Sequence, residues 1–599
     1  MKKIWETLVS ITTFSISIVF PSTVWGVSNY QKMLTNFRSV SNELISQAQS
    51  NEFNYKDFNF WASQCIVLER EEKYAEAIAA CERAIALRPK EKNLEIWSAR
   101  SHALLKLKRY GEAVASYDLL LQKSPKDSLS WTRRCEALQE LGNFEEAITS
   151  CEQALKVDGN WGNETPAIAW YNRGLAFRKL NQNEDALTSL ERALTINPNY
   201  SVALVERCGI LSDLARYEEA IAVCEQAKVS NPTVVLNNIA VAQEKLGKIE
   251  EAIAAYEQAL AINPNDAIAW NKQGILLEKL GQNERALTSY NKAVQINPKY
   301  SLALLNRCTT LNRVGNYKEA VTSCENALAG DGIWGDANPA QAWNQHGGAL
   351  IGLKQYQEAI ASVERAIDIN ANFAEAWNNK GVILWHLGKY QDALVSLEKS
   401  LKINPESSQT WFNQGTIFST LKNYNLALEA YNTALLTDTK LATDKLTCVD
   451  IINNKIAAPL NLKPYESLID TAKKSCANIL ANRSVTLWKL KRYENALFST
   501  NQAIQLNPQS FEGWYNRGTV LLDLGQYSQA LQAYDRADSI NPNNVYVLTG
   551  KGLAFEGLGE DQKALEAFEA ALNINPNFQL AQQKKDNLLE SLKVRLNQS

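Results

Sequence analysis

Residues 270–298 read WNKQGILLEKLGQNERALTSYNKAVQINP, and residues 514–542 read WYNRGTVLLDLGQYSQALQAYDRADSINP. Laid over one another without a gap, they share Trp270, Gly274, Leu277, Ala286, Tyr290, Ala293 and Pro298 with Trp514, Gly518, Leu521, Ala530, Tyr534, Ala537 and Pro542. The pattern has a physical cause. Small residues stand where two antiparallel helices come close, large ones fill the space between the helices, and Asn-Pro ends the second helix. The following Asn or Asp is placed to cap the next helix.

Working outward, the same pattern returns with a period of 34 residues from about residue 58 to residue 576. Fourteen first-helix anchors stand at Trp61, Trp97, Trp131, Trp170, Leu204, Leu236, Trp270, Leu304, Trp343, Trp377, Trp411, Leu480, Trp514 and Leu548. A chain of 599 residues exceeds what one globular core organises, and an open-ended array resolves that difficulty.

These residues, in this order and spacing, resemble the tetratricopeptide repeat family. The resemblance implies an all-α, right-handed superhelical solenoid of about 14 repeats plus one degenerate helical hairpin. It also implies that first helices line a concave face and that the function is partner binding. Repeats 1–11 are expected over 58–439 and repeats 12–14 over 477–576. The interval from Trp411 to Leu480 is close to two periods, so a degenerate hairpin is expected over 440–476. Its helices would run over Leu441–Ala457 and Tyr465–Ala477, around a Pro459–Pro464 turn.

An N-terminal capping helix is expected within 27–57, where Met33, Phe37, Val40, Leu44 and Ile45 share a helical face. A C-terminal capping helix is expected over 577–599, with Leu580, Leu588, Leu589 and Leu592 covering the last repeat. Before these, Lys2 and Lys3 precede an apolar run from Leu8 to Phe20, and Val24-Trp25-Gly26 offers a cleavage point. Residues 1–26 therefore read as a signal peptide, with an uncleaved anchor as the alternative. Export to the periplasm is the expectation, with thylakoid lumen or exterior also open. In style the repeats resemble those of cyanobacterial proteins.

Composition excludes little but useful classes. A net charge of -3, with 45% hydrophobic and 21% charged residues, gives no electrostatic reason for nucleic acid or an anionic membrane as partner.

Eight of ten cysteines form four pairs 16 residues apart: Cys65 and Cys81, Cys135 and Cys151, Cys208 and Cys224, Cys308 and Cys324. Within each repeat one member replaces the small residue of helix one and the other the aromatic of helix two. Residues equally far from the turn of a hairpin stand at the same height, so the pairs face one another. Cys448 and Cys476 share that symmetry about the Pro459–Pro464 turn. Five disulfides are expected, each contributing about 3 kcal/mol in the loop-entropy model, and they require an oxidising compartment. The alternatives are small buried thiols or a metal site. The latter lacks ligands, since the only histidines are His102, His346 and His386.

Asn172, Asn238, Asn306, Asn379, Asn413, Asn482 and Asn516 occupy the second place after the anchor in half of the repeats. This resembles the asparagine ladder in the repeat domain of O-linked N-acetylglucosamine transferases, which grips extended peptide by its backbone. An amide carries both donor and acceptor, so the grip tolerates any side chain. The alternative is simple tolerance of Asn on a solvated face. Ser63, Ala99, Arg133, Glu206, Lys272, Gln345 and Gly550 hold the same place elsewhere. No Lys follows an anchor directly, so the carboxylate clamp of co-chaperones is not carried over.

Gly159-Asn160-Trp161-Gly162 and Gly332-Ile333-Trp334-Gly335 are matched insertions. Their tryptophans either meet a partner or cover the edge of the neighbouring helices. No phosphate loop, metal-protease motif or nucleophile elbow is present, and no cofactor is expected. The sequence reads as a non-catalytic scaffold for a protein or extended peptide. The alternative is a substrate-holding subunit of an envelope enzyme or glycosyltransferase complex whose catalysis comes from another chain.

Overall fold

The computed structural model describes residues 57–88, 93–157, 159–228, 231–437, 447–453 and 466–598. The expected signal peptide, the N-terminal cap and the Pro459–Pro464 turn lie outside them. The chain divides into two compact units between Asn238 and Ile239.

In the first unit, helices pair as α1 (Phe58–Arg70) with α2 (Tyr74–Leu87), α3 (Leu94–Lys106) with α4 (Tyr110–Lys123), and α5 (Ser128–Glu140) with α6 (Phe144–Val157). Next come α7 (Pro166–Lys179) with α8 (Asn183–Ile196) and α9 (Ser201–Asp213) with α10 (Tyr217–Ala227). Helix α11 (Pro232–Lys245) runs across the division and α12 (Ile249–Ile262) follows it.

The second unit continues with α13 (Ala267–Lys279) and α14 (Asn283–Ile296), α15 (Ser301–Arg313) and α16 (Tyr317–Leu328), α17 (Pro339–Gly352) and α18 (Tyr356–Ile369). Then follow α19 (Ala374–His386) and α20 (Tyr390–Ile403), α21 (Ser408–Thr420) and α22 (Tyr424–Leu436), and a short α23 (Cys448–Ile452). The end is built from α24 (Glu466–Lys489) and α25 (Tyr493–Leu506), α26 (Phe511–Asp523) and α27 (Tyr527–Ile540), α28 (Val545–Gly557) and α29 (Asp561–Ile574), and α30 (Gln579–Gln598). Each of the fourteen anchors falls on the first helix of a pair.

Many first helices start on side-chain caps, as where Asp266 accepts from the amides of Ile268 and Ala269 and Ser510 accepts from Gly513, whereas those after Thr165, Tyr200, Tyr300 and Phe373 do not. Second helices have no such cap and instead follow a tight turn whose middle residue is left-handed. Gly142 (φ 82°), Gly281 (φ 71°) and Gly525 (φ 70°) hold that place, where glycine escapes the Cβ clash. Asn181 and Lys422 hold it elsewhere, at a small conformational cost.

The close approach read from the sequence is present. A Cβ placed on Gly274 would stand 2.5 Å from the Tyr290 ring, and Tyr290, Ala286 and Ala293 are wholly buried. The tryptophans do more than fill space. Trp131, Trp270, Trp377, Trp411 and Trp514 each donate the indole N–H to the carbonyl six residues earlier, in the turn between hairpins, at 2.9–3.0 Å. They are partly buried and clamp one hairpin to the turn that precedes it.

The interval between Trp411 and Leu480 differs from the expected degenerate hairpin. Its second helix does not end near Ala477; α24 runs unbroken for 24 residues from Glu466 to Lys489. No Pro or Gly interrupts Cys476-Ala477-Asn478-Ile479-Leu480, so nothing stops the helix from merging with the first helix of the next repeat. At the other end, Leu588 is buried against Ala564 and Phe568, with Leu592 packed alongside, so α30 caps the array. Leu580 is exposed and takes no part in that cover.

Candidate partner-binding face

All ten cysteines are paired as the spacing requires. Cα–Cα separations are 4.7, 5.5, 5.2, 5.4 and 5.5 Å for Cys65–Cys81, Cys135–Cys151, Cys208–Cys224, Cys308–Cys324 and Cys448–Cys476. These distances suit a disulfide. All ten side chains are wholly buried.

Successive first helices touch one another within each unit, as α17 does α19 and α19 does α21. The asparagines of the second place after the anchor lie at these contacts. Asn306, Asn379 and Asn413 donate from Nδ2 to Oδ1 of Asn271, Asn344 and Asn378 in the preceding first helix, at 3.0, 2.9 and 2.9 Å. Asn516 has Ala481 at the corresponding place and donates to its backbone carbonyl at 3.1 Å. Asn238 contacts Sγ of Cys208 at 3.6 Å, Asn482 donates back to Asn478 within its own helix, and Asn172 is buried. Asn306, Asn379, Asn413 and Asn516 thus each commit one donor to a seam between hairpins. Two further residues reinforce the seams: Gln139 and Asn312 donate to the backbone carbonyls of Asn172 and Gln345 at 3.1 and 2.8 Å.

A second series was missed from sequence. Arg100, Arg134, Arg173, Arg207, Lys380 and Lys551 stand three places after an anchor. They pair with Glu82, Asp118, Glu152, Glu191, Glu364 and Asp535 on the second helix of the hairpin before, at 2.7–3.1 Å. The signal was available, because each acidic partner directly follows the place of the buried aromatic or its substitute. His346 takes the basic place in one repeat. It is 9% exposed, with Nδ1 2.9 Å from Ser362 Oγ and Nε2 3.7 Å from Glu325. Burial holds its pKa below the ordinary histidine value, while Glu325 pulls the other way.

A recess of about 300 Å³ lies beside the first helices α17, α19 and α21. Asn344, Gln345, Asn378, Asn379, Gln409 and Ser475 are among the residues that line it. Its walls are amides and hydroxyls, and Glu375 is the one charged lining residue. Of the expected groove asparagines, the recess includes Asn379.

The matched insertions seal edges. Asn160 exchanges backbone hydrogen bonds with Lys126 and Leu129, Asp331 donates to the carbonyl of Lys299, and Gly159 and Gly332 both donate to a serine hydroxyl. Trp334 packs beside Leu304, Leu305 and Ala342. Among the described residues no three His, Cys, Asp or Glu side chains gather as a metal site needs, and no helix is long and apolar enough to cross a membrane.

Tandem antiparallel helical hairpins joined by seams of amides and ion pairs define an all-α repeat protein of the kind that serves as an interaction scaffold. Models of the tetratricopeptide repeat match residues 68–132, 130–160, 167–200, 237–301, 340–373, 374–407, 408–440, 511–544 and 545–578, together more than half of the sequence. The chain belongs to the tetratricopeptide repeat family. A protein prenyltransferase alpha subunit repeat also matches residues 493–524.

Sperm-associated antigen 1 of Mus musculus is 36% identical over 69 residues, 12% of this chain and 8% of that protein. The chain thus matches only a small fraction of that relative's length. Among solved structures, the APC/C hetero-tetramer Cut9-Hcn1 is 14% identical, with 89% of this chain and 96% of that one covered at a TM-score of 0.40. YrrB, described as a TPR protein with an unusual peptide-binding site, is 19% identical over 37% of this chain and 97% of its own, with a TM-score of 0.27.

Proposed function

We propose that this chain holds an extended segment of a protein partner against its first-helix face, outside the cytoplasm, and supplies no catalytic group of its own. The observation that carries the reading is the recess bordered by Asn344, Gln345, Asn378, Asn379 and Gln409. Amide side chains offer a peptide backbone both donors and acceptors without selecting its side chains. The near absence of charge among the lining residues favours a neutral segment over an acidic tail or a phosphate. Export is supported by the five disulfides, which persist in oxidising compartments.

The test is fluorescence anisotropy with a panel of unstructured labelled peptides of unrelated sequence, against the full chain and the double variant Gln345→Ala, Gln409→Ala. Binding is expected across much of the panel. It should weaken about tenfold in the variant, the loss of two hydrogen bonds of roughly 0.5–1.5 kcal/mol each. A panel that binds neither protein, or both alike, removes the recess as the site.

A further inference from the structure

By the offset seen at Trp514, where α26 begins three residues before the anchor, the helix carrying Leu480 would begin at Ala477. It begins at Glu466 instead, and the additional turns extend it by about 16 Å at 1.5 Å per residue. That extension reaches two separate places on the second unit. Ser475 joins Asn344, Asn378, Asn379 and Gln409 around the recess. Further along, Ser467 and Leu468 lie against Gly281 in the turn between α13 and α14. A Cβ on Gly281 would stand 3.1 Å from Ser467 and 3.5 Å from Leu468. The extension thus links the recess among α17, α19 and α21 to a hairpin well before it.

Two features describe how it is held. At its base Cys476 is disulfide-bonded to Cys448, and Ala472 (6% exposed) packs in one cluster with Ile451 (3% exposed) and Tyr431. This end is covalently and hydrophobically fixed. Ser467, Thr471 and Ser475 follow one another at four-residue steps, hence on one face of the helix, and all three are exposed. That face borders open space at Thr471 and Ser475, while at Ser467 it meets the turn at Gly281.

We propose that residues 466–476 form a fixed strap across the first-helix face, and that a partner reaches the recess only as a narrow, extended, largely uncharged chain running beneath it. A folded domain or a broad surface is excluded by the strap. The inference deepens the partner-binding reading above and rests on it for the identity of the occupant, but the strap's selectivity for size is a property of this chain alone.

That separation gives the experiment. Every native cysteine is bonded, so Gln409→Cys in the full, non-reduced chain introduces a unique thiol at the recess. Glu512→Cys places one at the equivalent position two residues before Trp514. Each is labelled with N-ethylmaleimide and with the same maleimide carried on folded lysozyme. The small reagent should modify both thiols at similar rates, whereas the protein-borne reagent should modify the Gln409→Cys thiol at least about tenfold more slowly than the Glu512→Cys thiol, because it needs the strap to open.

Freeing the strap with Cys448→Ser, Cys476→Ser and Leu468→Asp should raise the slow rate at Gln409→Cys to that at Glu512→Cys. Equal rates with the large reagent at both places overturn the proposal, as does a ratio unchanged in a folded strap variant. If circular dichroism shows that variant unfolded, the comparison in the native background decides alone. Size selection without any peptide binding would retire the partner-binding reading and leave the strap standing.

Discussion

Asn413 donates its side-chain N–H to Oδ1 of Asn378 at 2.9 Å, across the seam between two first helices. The same rung joins Asn379 to Asn344 and Asn306 to Asn271. Asparagine is a poor helix former, and at Asn306, Asn379 and Asn413 its presence is accounted for by a bond that holds hairpins in register.

Asn378→Ala and Asn413→Ala should each cost roughly 1 kcal/mol, and the double variant little more than either single one. Urea denaturation followed by circular dichroism and by tryptophan fluorescence reads this. Strict additivity of the two losses would show that the bond contributes nothing in solution.

Replacing Cys308 and Cys324 together by Ala should lower stability by about 3 kcal/mol, the loop-closure expectation for a short bridged loop. In an array whose repeats contact only their neighbours, the loss should stay local. Hydrogen exchange should therefore rise in α15 and α16 and little in α28 and α29; uniform loosening would contradict an array of semi-independent hairpins.

Two glycines should respond with opposite sign. A Cβ on Gly518 would stand 2.7 Å from the buried ring of Tyr534, so Gly518→Ala should cost about 1–3 kcal/mol by displacing it, more than the helix-propensity gain of up to ~1 kcal/mol. Gly111, on α4, has nothing within 4 Å, and Gly111→Ala should stabilise by about 0.5 kcal/mol. Thermal melts of the two variants decide, and a shared sign would refute the packing account.

His346 makes one seam sensitive to pH. Its folded pKa lies below the ordinary 6.5 because the ring is buried, so the unfolded chain binds more protons in the window between the two values. Stability from this residue is fully present above about pH 6.5 and is lost as pH falls through the lowered folded value. His346→Gln removes the titration, and its denaturation midpoint should fall less than that of the native chain between about pH 7.5 and about pH 5. Parallel losses would place the acid sensitivity elsewhere, for instance at His386, whose pKa is also lowered by burial.

The sequence by itself determined the fourteen regular hairpins and the disulfide pairing. Each rests on a short-range constraint: a small residue opposite a large one, a tight turn between them, and equal height on two helices joined by that turn. The glycine of Gly274 facing Tyr290 and the bond between Cys308 and Cys324 both follow from a separation of 16 residues. Only the tertiary structure decided where the asparagine amides point, because their partners stand about a repeat away and the meeting depends on the angle at which hairpins pack. It alone also decided that α24 crosses to Gly281, since an uninterrupted helix carries its first turns wherever its anchored end directs them, and no local pattern records what lies there.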